Sequence, residues 1–235
     1  MITSCGEDPQ RLVKALDALM ERQVDGIIAV PLEGAEEALE QARAYRPLVL
    51  IDRTLGQIPA VLSDPHTGMK QAVEQLKEKG HTHIGYLSGP QETSTGRQRL
   101  HAFKAATRGM PTHIHHGSYR HREGYKGAIA LLQEGVTALI AGDSMMTAGA
   151  LEACHNAGKR IGEEIALVGF DDFIYLRFQP SPISVVDQDV ARMGETATAK
   201  LIAAINDKHQ PEGEVLETRY IPRMSTAHQL DGATP

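Results

Sequence analysis

The sequence predicts an α/β fold built on parallel sheets. Two observations carry that expectation. Short apolar runs alternate with longer amphipathic stretches along the whole chain, and several runs are apolar at successive positions, as strands covered on both faces must be.

The elements follow in order. Asp8-Pro9 opens a first helix, because proline fits the first turn and Leu12, Val13, Leu16, Leu19 and Met20 then share one face at helical spacing. Asp25-Gly26-Ile27-Ile28-Ala29-Val30-Pro31 reads as a brief buried strand, followed by a helix from Glu33 to about Tyr45. Leu48-Val49-Leu50-Ile51-Asp52 and Ala60-Val61-Leu62-Ser63 are the next strands. The unit then repeats: helix 66–79, strand Ile84-Gly85-Tyr86-Leu87, helices 96–108 and 121–134, strand 138–141, helix 145–157 and strand 165–170. A strand at 183–187, a helix from Val190 to about Ile205 and a last strand from about Val215 to Ile221 complete the series. The stretch holding His113, His115 and His116 reads as a solvated polar loop, since no Cys or carboxylate stands at ligand spacing from these histidines.

Composition narrows the function classes. With 235 residues the chain can bury a sizeable core as one large domain or two small lobes, and its 41% hydrophobic content is that of an ordinary globular protein. The net charge of -6 gives no electrostatic footprint for nucleic acid. Cys5 and Cys154 lie far apart and read as buried free thiols of a reducing compartment. No apolar run approaches the ~20 residues that span a bilayer, and Met1–Gly6 is too short and polar for a secretion signal. A cytoplasmic protein with no membrane partner is expected.

In open α/β sheets ligands bind outside the carboxyl ends of the strands, so the residues just after each strand carry the chemistry. Those segments are Asp52-Arg53, Asp64, Thr93 to Arg99, Tyr119, Gly142-Asp143-Ser144, Asp171-Asp172 and Gln188-Asp189. Arginine, carboxylates, amides and an aromatic suit a polyhydroxylated ligand: charged forks bridge neighbouring hydroxyls and a ring stacks on the apolar side of a sugar. Catalytic patterns are missing. No G-x-S-x-G elbow, Walker loop or G-x-G-x-x-G follows a strand, and Asp171 and Asp172, being adjacent, are expected to point apart. No cofactor and no metal are expected.

Several segments taken together resemble the effector-binding core of LacI/GalR transcriptional regulators, from the first residues to about Ala227. The most specific are Gly80-His81-x-His83-Ile84-Gly85-Tyr86-Leu87-x-Gly89-Pro90 and Ile165-Ala166-Leu167-Val168-Gly169-Phe170-Asp171-Asp172. Leu50-Ile51-Asp52-Arg53, Arg99-Leu100-x-Ala102-Phe103 and the closing Arg223-Met224-Ser225-Thr226 accompany them in the same order. The resemblance implies a two-lobed, periplasmic-binding-protein-like fold with an effector between the lobes. Residues 1–63 plus 190–212 would form the N-terminal lobe, 64–189 plus 213–227 the C-terminal lobe, and 228–235 a tail.

The same resemblance implies a set of effector contacts. Arg99 is the polar anchor, Asp171 accepts hydroxyl or amine hydrogens, Thr93 and Thr95 lie in the ligand loop, Tyr119 stacks, and Gln188 contacts from a crossing strand. Asp52 and Asp143 complete the set, the Gly142–Gly149 segment being one residue longer than the common form, and Arg97 is a candidate to assist Arg99. Asp172 is expected to cap the following helix. A homodimer sensing a sugar or sugar derivative is implied, with operator DNA reached only through a helix-turn-helix headpiece outside these 235 residues. The family's first strand and helix also have no counterpart here, Met1–Gly6 standing in the place of its second strand. A solute-binding protein of a transporter shares the implied fold, and an enzyme on a doubly wound sheet is the remaining alternative.

Overall fold

The computed structural model describes residues 1–207 and 209–228. The chain divides into two compact units: unit 1 holds Met1–Ser63, Glu92–Ser94 and Val190–Leu216, and unit 2 holds Asp64–Gln91, Thr95–Asp189 and the chain from Glu217.

Unit 1 is built on a sheet of order β1-β2-β3-β9, from Ile27–Ala29, Leu48–Ile51, Ala60–Asp64 and Glu214–Glu217. The β1–β2 and β2–β3 pairs are parallel, with Ile27 opposite Leu48 and Leu50 opposite Ala60. Successive side chains of a strand point to opposite faces, and β2 shows the consequence. Leu48 and Leu50 pack with Leu12 and Leu16 of α1 (Pro9–Glu21) and Leu39 of α2 (Glu36–Tyr45). Val49, between them, packs on the other side with Met193, Ala197 and Leu201 of α8 (Val190–Asp207). Asp8 starts α1 by accepting from the amides of Gln10 and Arg11, with Pro9 in the first turn.

Unit 2 carries a six-stranded sheet of order β10-β8-β7-β6-β4-β5. Its strands are β4 (Ile84–Ser88), β5 (Thr112–His116), β6 (Ala138–Ala141), β7 (Ala166–Phe170), β8 (Ser184–Asp187) and β10 (Arg219–Ile221). All pairs are parallel except β10 against β8. One face, with Tyr86, Ile140 and Val168, packs on α3 (His66–Glu78) and α4 (Ser94–Ala106). The other, with Leu87, Leu139 and Leu167, packs on α5 (His121–Gln133) and α6 (Ser144–Asn156). The chain winds outward from β4 in both directions, so the order reverses between β4 and β6. That is the topological switch point at which crevices open in doubly wound sheets.

Four expectations fail. The histidine-rich stretch is no loop: Thr112–His116 is strand β5, pairing in parallel with β4 from Ile84–Thr112 to Ser88–His116. Lying at the sheet edge, it needs little apolar character, which is why the pattern missed it. The last strand is two, broken at Thr218, so that β9 joins the first sheet and β10 the second. Met1–Gly6 forms no strand; it has only Met1 and Ile2 as large apolar residues, both exposed, and thus no buried alternate face to fix a register. Asp172 caps no helix. The short helix α7 (Ile174–Arg177) starts from Phe173 without a side-chain cap. Asp172 instead holds Arg177 at 2.7 Å and Arg223 at 2.6 Å. Of the two thiols, Cys154 is buried and Cys5 only half-buried, both free. The predicted tail, 228–235, lies outside the described residues apart from His228.

Candidate functional site

The polar crown of unit 2 starts with Arg99. It sits on the second turn of α4 and is buried, which for a guanidinium demands compensation. Groups at the ends of three strands contribute to it. Nη1 donates to the carbonyl of Gly142, just after β6, at 2.9 Å. Nη2 donates to Oε1 of Gln188, just after β8, at 3.3 Å. The Phe170 ring, at the end of β7, lies 4.0 Å from the guanidinium carbon, a stacked cation–π contact that a lysine would not reproduce. The fork is thus fixed over the ends of three neighbouring strands.

The remaining side chains stand around it. Asp143 follows Gly142 and starts α6, its Oδ1 accepting from the amides of Met145 at 2.8 Å and Met146 at 3.4 Å. Burial nonetheless pushes its carboxyl above the usual carboxylate value, against the pull of Arg99 and those amides. Asp171 follows β7 with φ of 63° and is buried, its amide bonded to the Val186 carbonyl at 2.9 Å. A left-handed backbone at a non-glycine residue stores strain, and such residues gather at functional sites. Thr95, at the start of α4, shares a hydrogen bond of 2.9 Å with the Tyr119 hydroxyl. The Tyr119 ring lies so close over Gly89, the residue after β4, that a Cβ there would collide with it.

Of the eight predicted contacts, six therefore belong to unit 2: Thr95, Arg99, Tyr119, Asp143, Asp171 and Gln188. Direct bonds join Arg99 to Gln188 and Thr95 to Tyr119. Asp52 and Thr93 belong to unit 1. Asp52 ends β2 with φ of 69°, and its neighbour Arg53 is buried in a two-pronged pair with Glu7 at 2.8 and 3.0 Å. Thr93 lies in the segment 92–94, tied to unit 1 by the Thr54 amide donating to Ser94 Oγ at 3.0 Å. Arg97 donates to the Gln91 carbonyl at 2.8 Å. Sequence reading missed Phe170, which looks like plain strand core; the one available signal was an aromatic at the carboxyl end of a strand.

Residues 73–226 match the family of periplasmic binding protein-like domains. A solved structure described as a LacI family transcriptional regulator from Corynebacterium glutamicum is 39% identical, covers 96% of this chain and 86% of its own, and superimposes with a TM-score of 0.87. Another, described as a ribose operon repressor from Burkholderia thailandensis, is 33% identical over 94% of this chain and 86% of its own, with a TM-score of 0.81. The chain belongs to the LacI family of transcriptional regulators, of which it is an effector-binding core. Among curated proteins, the HTH-type transcriptional repressor PurR of Escherichia coli O1:K1 is 28% identical over 225 residues, 90% of this chain. The chain spans 66% of that relative's length. Among the described residues no helix is long and apolar enough to cross a membrane.

Proposed function

We propose that this chain is the sensor part of a cytoplasmic repressor, binding a sugar or sugar derivative without altering it and passing the occupancy of its site to a DNA-binding headpiece. The observation that carries the reading is Arg99, a buried guanidinium pinned by Gly142, Gln188 and Phe170 at the switch point of unit 2. A charge held that rigidly is pre-organised to bridge two hydroxyls. Asp143 and Asp171 add acceptors, and Thr95, Tyr119 and Gln188 add groups that both donate and accept. The description of the 33% identical structure as a ribose operon repressor supports a sugar. Descriptions of the relatives as regulators, together with the absence of any nucleophile–base pair in the sequence, favour sensing over turnover.

A sensor transmits only what its ligand binds differentially in two arrangements of the protein. A thermal-shift screen against pentoses, hexoses, disaccharides and their phosphates tests the reading. At least one sugar is expected to raise the melting temperature by several degrees, and Arg99→Ala is expected to weaken its binding about 100-fold. No shift with any sugar, or a shift unchanged in Arg99→Ala, would count the reading out.

The proposal includes a homodimer. Its support is an exposed apolar patch on unit 2, where Phe173, Ile174, Tyr175, Phe178 and Met145 are 43%, 60%, 39%, 79% and 47% exposed. Apolar surface gathered in this way is characteristic of protein–protein contact.

A further inference from the structure

The Tyr86 side chain is fully buried on β4, its ring stacked on Phe103 at 4.5 Å and 11°. The ring is well packed, but the hydroxyl is an anomaly: it is sealed from solvent and has no hydrogen-bond partner among the described residues. A phenylalanine would give the same stacking without a stranded polar atom, whose burial is costly. The hydroxyl's place in the fold is informative. It stands against Gly142, where a Cβ would lie 2.7 Å from it and 2.7 Å from the Leu87 carbonyl. Gly142 is the residue whose carbonyl holds Arg99 and whose amide bonds to Leu87 across the switch point at 2.9 Å.

The electrostatics agree with that position. Burial pushes the phenol well above its ordinary range; Arg99 pulls it down, while Tyr119 and Asp143 push it further up. Three groups of the polar crown are therefore close enough to act on this one oxygen. The ring belongs to the apolar core beside α3 and α4, while its hydroxyl faces Gly142 at the base of the proposed ligand-binding cluster.

We infer that the Tyr86 hydroxyl is a ligand-recognition group, its missing partner being a hydroxyl of the bound polyol or the water that polyol traps against Gly142. The inference rests on the sugar-sensing reading and adds to it a contact from inside the sheet. It makes a paired demand that a merely structural tyrosine does not meet. Removing the oxygen costs the empty protein nothing, because no bond is lost and a stranded group is relieved. Removing it costs the occupied protein one hydrogen bond.

The experiment compares the wild-type chain, Tyr86→Phe and Arg99→Ala, using thermal melts without ligand and calorimetric titration with D-ribose, D-glucose and cellobiose. The melting temperature of Tyr86→Phe without ligand is expected to equal or exceed that of the wild type. Its affinity for the sugar that binds is expected to fall about five- to tenfold. A melting temperature lowered by several degrees would show that the hydroxyl already has a partner and overturn the inference, with or without sugar. Sugar binding lost in Arg99→Ala but unchanged in Tyr86→Phe would overturn the inference alone. Failure of all three sugars to bind the wild type, together with no thermal shift from any sugar or sugar phosphate of the wider screen, would overturn the sugar reading and the inference with it.

Discussion

His81 shows how much a single side chain in this protein can weigh. It follows Gly80, whose φ of 86° carries the chain out of α3, and it is buried with Nδ1 3.0 Å from Thr137 Oγ1. Its other nitrogen has no hydrogen-bond partner among the described residues, and desolvation lowers the ring's pKa from 6.5 to about 4. The ring is therefore neutral in the fold and titrates near 6.5 when unfolded. Stability from this source is complete above pH 6.5 and is lost as the pH falls towards 4, by about 3 kcal/mol at most. Urea unfolding between pH 7 and pH 4 should show this decline, and His81→Gln should flatten it. An equal pH slope in the variant would place the acid sensitivity in groups other than His81, and Asp172 is not among them over this range. Burial raises that carboxyl's pKa but the bonds to Arg177 and Arg223 outweigh it, so its contribution is lost only below the ordinary value of 3.8.

Among the elements, the closest contact is between α5 and α6, and glycines make it possible. A Cβ at Gly124 would lie 2.5 Å from the Met146 Cα, and one at Gly149 would run into the His121 carbonyl. The two helix backbones touch, and α6 is the helix that Asp143 starts. Gly149→Ala should therefore cost about 1–3 kcal/mol in urea unfolding and loosen the site from behind. A variant as stable as the wild type would show that the helices can separate freely. Elements of this kind were legible in the sequence wherever burial imposed a period. Leu48 to Ile51 and Ile84 to Leu87 could hardly be anything but covered strands. Legibility failed where tertiary context decides. The β5 strand has one partner strand and a half-solvated face, so Thr112–His116 shows no apolar run. The break at Thr218 is set by its hydroxyl, which donates to the Asp64 carbonyl at 2.8 Å and accepts from the Gly68 amide at 3.1 Å. Nothing local in Val215–Ile221 announces those partners.

For the whole molecule, the position of the site followed from fold topology before any side chain was placed. A sheet whose strand order reverses between β4 and β6 offers a crevice there; Arg99 stands on the helix after β4 and Asp143 just after β6, with Gln188 after β8, two strands from β6. The identities of Arg99 and Asp171 came from family resemblance. Their geometry did not, because the Gly142 carbonyl and the Phe170 ring that hold the guanidinium are invisible to motif reading. Assembly is also a question at this scale. If the aromatic patch around α7 is covered by a second copy, Phe178→Asp should turn a dimer into a monomer in light scattering while leaving the fold intact. A wild-type chain that is monomeric at micromolar concentration would leave that patch unexplained by self-association.

The central claim is that strand-end polar groups of unit 2 hold a dissolved polyol around Arg99. A crystal structure of the chain with the sugar that raises its melting temperature tests this most directly. Sugar hydroxyls are expected within hydrogen-bond distance of the Arg99 guanidinium and of the Asp171 or Asp143 carboxylate. A sugar bound elsewhere, with the contacts of Arg99 to Gly142, Gln188 and Phe170 unchanged, would contradict that claim.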